Sequence, residues 1–121
     1  MVDPKLVAER YRSENAREQE ILKARRENAR ELGTRLAKRI LAAFPEARRI
    51  WGFGSTFETW RNYRQTSDID LAVECGDPME IFRLVEREEF KVDILDLSTC
   101  RPSMASYIRE HGVVLLETTH A

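Results

Sequence analysis

The chain is poor in the residues that would place it in several large protein classes. It has two cysteines, Cys75 and Cys100, in no spacing that suits a zinc site; lone thiols of this kind read as reduced and structural, not as a disulfide framework. Its two histidines look incidental, His111 at the C-terminal end of a helix, where its charge suits the dipole, and His120 in the tail. No stretch approaches the roughly 20 consecutive apolar residues of a membrane span. The Met1-Val2-Asp3-Pro4 start lacks the basic-then-apolar pattern of a secretory signal, so the expectation is a cytoplasmic protein with no membrane partner. Net charge is nearly absent too. With 20 basic and 21 acidic residues there is little overall field with which to grip nucleic acid, and direct nucleic-acid binding is not expected. Asn and Gln are few and Arg outnumbers Lys, a weak mark of a heat-adapted source. There is no internal repeat and no low-complexity segment.

What is present is enough for one folded domain. A chain of 121 residues with 42% apolar residues buries roughly two thirds of its unfolded surface. The expectation is a single domain over 1–121, with an N-terminal helical extension over 1–44 and a core over 48–116. Asp3 is a good N-cap and Pro4 suits the first helical turn. From there to Phe44 only Gly33 offers an interruption, and Pro45 ends the helix. Its two halves differ. Leu32, Leu36, Ile40, Leu41 and Phe44 recur at helical steps and form one apolar stripe that packs on the rest of the chain. Between Arg12 and Glu31 charge dominates. That half either lies in solvent or packs on another chain through Tyr11, Ile21 and Leu22.

The remainder alternates strands with helices. Strands are predicted over 48–53, 67–74, 90–97 and 113–116. A short helix is predicted from Ser55 to about Tyr63, another opened by Asp77-Pro78 with Ile81, Phe82, Leu84 and Val85 inward, and a third from Arg101-Pro102 to about Glu110, stopped by Gly112. This is an α/β or α+β layer fold, with a three- or four-stranded sheet covered by helices mainly on one side.

Two stretches carry the chemistry. Trp51-Gly52-Phe53-Gly54-Ser55 reads as a strand running into a tight Gly-Ser turn that opens a helix. Free backbone N–H groups at a helix start suit a phosphate. Thirteen residues after Ser55 comes Asp68-Ile69-Asp70-Leu71-Ala72-Val73. Side chains alternate across a strand, so Asp68 and Asp70 share a face. Adjacent carboxylates repel unless a cation lies between them, and a hard divalent ion such as Mg²⁺ is the economical partner. Asp93, in the apolar run Val92-Asp93-Ile94-Leu95, is the third candidate. A two-metal phosphoryl-transfer site needs carboxylates able to hold ions about 4 Å apart. Asp96 points to the opposite face from Asp93 and is set aside. Metal plus phosphate is the chemistry of nucleotidyl transfer. A phosphoacceptor receiver domain fits less well, because its acidic pair would come near the start and a lysine would follow the later Asp, whereas the last lysine here is Lys91.

In this order and on these elements, Phe53-Gly54-Ser55, Ser67-Asp68-Ile69-Asp70-Leu71-Ala72-Val73 and Val92-Asp93-Ile94-Leu95 resemble the signature of the DNA polymerase β-type nucleotidyltransferase superfamily. The short length resembles its minimal branch, the MNT proteins, many of which are antitoxins paired with HEPN-domain ribonuclease toxins. The resemblance covers about Arg48 to Leu116 and implies a mixed sheet flanked by helices, Mg²⁺, and an NTP donor, usually ATP. It implies that Gly54 and Ser55 contact the nucleotide phosphates, that Asp68 and Asp70 bind the metals, and that Asp93 completes the catalytic set. Arg61 and Arg64 either neutralise the triphosphate, Arg64 being taken as the nucleotide contact, or are plain exposed arginines. Two features depart from the pattern. The twelve residues from Thr56 to Ser67 form a longer connection than usual, without glycine and with Phe57, Trp60 and Tyr63; stacking of Trp60 or Tyr63 on a base is weighed against covering the sheet edge. The long charged helix also exceeds what the minimal fold needs.

The resulting expectation is an enzyme moving an AMP unit from ATP to a hydroxyl of a protein partner, of HEPN type by the resemblance, with homodimerisation through the N-terminal helix left open. The alternatives are a catalytically silent module of the same fold that blocks a partner by contact, and a transferase acting on a small molecule or an RNA end.

Overall fold

The computed structural model describes residues 3–85 and 88–118, so the expectation for His120 lies outside the described residues. Helix α1 (Pro4–Ala43) is a single 40-residue rod, about 60 Å long at the usual rise per residue. Its start follows from its sequence: Asp3 accepts from the Lys5 N–H at 2.9 Å, and proline occupies the first turn. At its end the Phe44 N–H reaches the Ile40 carbonyl at 2.7 Å, and Pro45 begins a single 3₁₀ turn (Pro45–Ala47). The chain continues through β1 (Arg49–Phe53), β2 (Ile69–Val73), α2 (Pro78–Val85), β3 (Val92–Asp96), α3 (Pro102–His111) and β4 (Val113–Glu117).

The four strands form one mixed sheet in the order β3-β2-β1-β4. β1 runs antiparallel to both β2 and β4, whereas β2 and β3 are parallel. Strand alternation sorts their side chains onto two faces. On one face Ile50, Ile69, Leu71, Val73 and Val92 pack against Leu32, Leu36, Ile40 and Leu41 of α1 and Ile81 and Val85 of α2. On the other, Trp51 and Ala72 meet Ala105 and Ile108 of α3. Cover is thus two-sided, where the sequence suggested mainly one side. The apolar i, i+3 pair Ala105–Ile108 is what holds α3 to the second face. Phe82 is exposed, contrary to its inward prediction; a helix of only two turns buries a narrow stripe, here Ile81 and Val85.

The apolar stripe of α1 starts at Ala29, and before it nearly every residue from Pro4 to Ile21 is exposed, including Leu6, Tyr11 and Ile21. Gly33 does not interrupt the helix. It is buried, and together with Gly52 on β1 it makes a slot for the Phe57 ring, which a side chain at either glycine would strike.

The helix predicted from Ser55 to about Tyr63 is absent. Those residues form successive turns. The carbonyls that a helix would use are drawn elsewhere: Arg30 Nε donates to the Thr56 carbonyl at 2.7 Å and Arg26 Nη2 to that of Glu58 at 2.8 Å. Threonine and aromatic residues at 56, 57, 59 and 60 add little helix propensity against that pull.

Candidate active site

Asp70 and Asp93 are register partners across the parallel β2–β3 ladder, so their side chains leave the sheet on the same face, beyond the part that α3 covers. Asp68 lies just ahead of β2, two residues before Asp70. Its backbone is fixed by the Thr56 hydroxyl, which donates to the Asp68 carbonyl at 2.7 Å. One carboxylate oxygen from each of Asp68, Asp70 and Asp93 falls within 4.8 Å of the other two. The structure therefore brings together the three acidic residues singled out in the sequence.

Electrostatics follow from that crowding. The Asp70 carboxyl is pushed up to about 6, first by burial and then by the charges of Asp93 and Asp68. Among the described residues one cation stands close by: Lys91 Nζ lies 3.8 Å from Asp68 Oδ2, on a largely exposed side chain. A single screened ammonium does not offset three carboxylates. Convergent, hard, oxygen-only donors carrying excess negative charge are the ligand set that Mg²⁺ takes. Asp96, by contrast, is buried on the other face and spends its carboxylate on the Ser98 N–H at 2.8 Å and the Ser98 hydroxyl at 2.6 Å.

The Gly-Ser turn follows β1 and abuts this cluster. Gly54 has φ 73°, a conformation that glycine adopts freely, and any side chain there would run into Asp70 Oδ2. The Phe57 and Glu58 N–H groups close the turn on the Gly54 carbonyl at 3.2 and 2.8 Å. The Gly54 N–H is taken by the Glu58 carboxylate, so it is not the free helix-start donor that the sequence suggested. The Ser55 and Thr56 N–H groups have no acceptor among the described residues. The Ser55 hydroxyl donates to Ser67 Oγ at 2.8 Å, and that oxygen also accepts from the Arg64 N–H at 2.9 Å.

Arg64 thus ties into the site through its backbone, while its side chain lines a groove between α1 and the 63–65 and 88–90 segments. Trp60 does not cover the sheet edge: it is exposed, with its ring edge-on to His111 of α3 at 6.0 Å. Tyr63 lies half-buried beneath the Arg26 guanidinium. Several contributors were given no role at the site from the sequence, namely Ser67, Thr56, Lys91, Glu58 and Tyr107. Only Ser67 had a local signal, standing directly before Asp68.

No known protein-family profile matches the chain, and no curated protein does. Solved structures do. A crystal structure of a toxin–antitoxin with AMP-PNP contains a chain that matches with a TM-score of 0.57 and 23% identity, over 71% of this chain and 74% of the other. A second, of the toxin–antitoxin MntA-HpeT carrying two Asp-to-Glu changes two positions apart, matches with a TM-score of 0.56 and 23% identity, over 72% and 74%. The chain shares the fold of these proteins.

Proposed function

We propose that the chain is a Mg²⁺-dependent nucleotidyltransferase that moves the AMP unit of ATP to a hydroxyl of a protein partner, and that it serves as the antitoxin of a HEPN-type toxin. The observation that carries this reading is the meeting of Asp68, Asp70 and Asp93 within 4.8 Å beside the Gly54-Ser55 turn. A nucleotidyltransferase needs a metal cage and a phosphate cradle in contact with each other. Two aspartates two positions apart, as in Asp68 and Asp70, were also the residues altered in the MntA-HpeT mutant.

In this reading Asp68, Asp70 and Asp93 hold Mg²⁺. The ion, when bound, neutralises the triphosphate and lowers the pKa of the attacking hydroxyl. The Ser55 and Thr56 N–H groups cradle the phosphate oxygens, in a turn that the Ser55–Ser67 hydroxyl bond steadies. The acceptor oxygen bonds to the α-phosphorus as the bond from that phosphorus to the bridging oxygen breaks. Pyrophosphate leaves, and the hydroxyl proton passes to Asp93, the most exposed of the three carboxylates.

The chain acts as one domain, with 48–116 as the catalytic core and 1–44 as an added helix. The acidic face of this core lies open beyond α3, which suits an acceptor that brings its own surface. The unburied length of α1 from Pro4 to Ile21, with Leu6, Tyr11 and Ile21 outward, is the face offered to it. The test mixes the protein with ATP, Mg²⁺ and the product of its neighbouring reading frame and weighs the partner by intact mass spectrometry. A gain of adenylyl units that disappears with Asp68→Asn supports the reading. A tight complex with no mass change would favour the catalytically silent blocker.

A further inference from the structure

Glu58 is fully buried, and all the polar groups seen to face its carboxylate are donors. The Gly54 N–H reaches Oε2, the Tyr107 hydroxyl donates to Oε1 at 2.5 Å, and Arg61 Nε lies 3.3 Å from Oε2. Arg61 Nη2 in turn donates to the Tyr107 oxygen at 2.9 Å. A buried carboxylate is retained at low cost only where its oxygens are satisfied in this way. The arrangement is more than local packing. The donor on Gly54 belongs to the residue whose Cα lies against the Asp70 carboxylate, and the donor on Tyr107 belongs to α3, on the far side of the loop.

Resting on the transferase reading above, we infer that Glu58 is a positioning residue for nucleotide binding: by drawing in the Gly54 N–H, and being held by Tyr107 and Arg61, it sets the Gly54-Ser55 turn against Asp70 with the Ser55 and Thr56 N–H groups left to the phosphates. The carboxylate takes the one amide that must point inward. The turn and the metal cage are thereby fixed relative to each other by a side chain that touches neither metal nor nucleotide.

Glu58→Gln tests this. The glutamine keeps the shape but loses the charge, and its NH₂ must face either the Gly54 and Arg61 N–H groups or the Tyr107 hydroxyl, whose proton then loses its acceptor, so the hold on the turn weakens. A buried donor without an acceptor weakens what it supports by about tenfold or more, the loss expected for Mg²⁺·AMP-PNP measured by calorimetry. Mn²⁺ affinity, read by electron paramagnetic resonance without nucleotide, should stay within about twofold, because the carboxylates are carried by β2 and its approach and by β3. Hydrogen-exchange protection of the Gly54 amide should fall. Tyr107→Phe, which keeps the charge and the helix, should show the same pattern at about threefold. The double variant should lose less than the product of the two single losses, because both act through one contact. A folded Glu58→Gln protein with unchanged AMP-PNP affinity overturns the inference, as does loss of Mn²⁺ and nucleotide affinity in parallel in both variants. Wild-type protein that takes up no Mg²⁺·AMP-PNP overturns the transferase reading itself, a result distinct from equal binding by wild type and variant.

Discussion

Asp70 and Asp93 stand directly opposite each other on adjacent parallel strands, on a part of that sheet face left open by α3. The pairing places like charge where a sheet would ordinarily place apolar or oppositely charged neighbours. The fold accepts that repulsion, and the gain lies in what the pair can bind.

Removing charge from the pair should therefore separate stability from activity. Asp70→Asn should leave the metal-free protein as stable as wild type or raise its Tm by up to about 5 °C. Transfer should fall below detection. Calorimetric melts in EDTA beside the adenylyl assay check both; a strongly destabilised variant would show that the Asp70 carboxylate helps to hold the fold together.

The same crowding fixes a pH dependence. Asp70 in the folded protein titrates at about 6, above its ordinary 3.8, so the folded state holds this proton more tightly than the unfolded state does. Its contribution to stability is present below about pH 4 and is lost as pH rises through about 6. In EDTA, wild type should lose stability relative to Asp70→Asn between about pH 4 and 6, and Mg²⁺ should restore it above that window. Parallel Tm–pH profiles for the two proteins would contradict this.

Gly54 and Ser55 should differ in severity. Gly54→Val meets both an unfavourable positive φ and the Asp70 carboxylate, costing about 2 kcal/mol or more. It should abolish nucleotide binding. Ser55→Ala removes only a hydroxyl and its bond to Ser67, and should weaken Mg²⁺·AMP-PNP by about tenfold or less with the fold intact. Urea unfolding and calorimetry distinguish the two.

Helix α1 should divide at about Arg25. Deleting residues 3–20 should leave Tm within about 2 °C, since almost nothing there is buried. Arg30→Ala should cost about 1 kcal/mol by removing the shorter of the two bonds to the part-buried Thr56 carbonyl, which keeps only Arg26 Nε at 3.4 Å. Leu36→Ala should cost about 2–5 kcal/mol. Urea denaturation of the three variants gives the ranking.

These contrasts also mark what could be read without coordinates. Asp3-Pro4 and Pro45 bound α1 because caps and prolines act locally. The two-residue period placed Asp68 with Asp70, and the opposite facing of Asp93 and Asp96 held for the same reason. The connection from Ser55 to Ser67 was not legible. Its shape comes from partners far away in the chain: Arg30 holds Thr56 from 26 residues before it, and Tyr107 holds Glu58 from 49 residues after it. Phe57 fits only because Gly33 and Gly52 lie together in space. Local propensity carries no information about such partners.

The most direct measurement is a crystal structure of the protein soaked with Mn²⁺ and AMP-PNP, with anomalous scattering used to locate the metal. The expected result is a Mn²⁺ peak bound by Asp68, Asp70 and Asp93, with phosphate oxygens against the Ser55 and Thr56 amides. A Mn²⁺ peak elsewhere, or phosphates bound away from the Gly54-Ser55 turn, would contradict the assignment of the site.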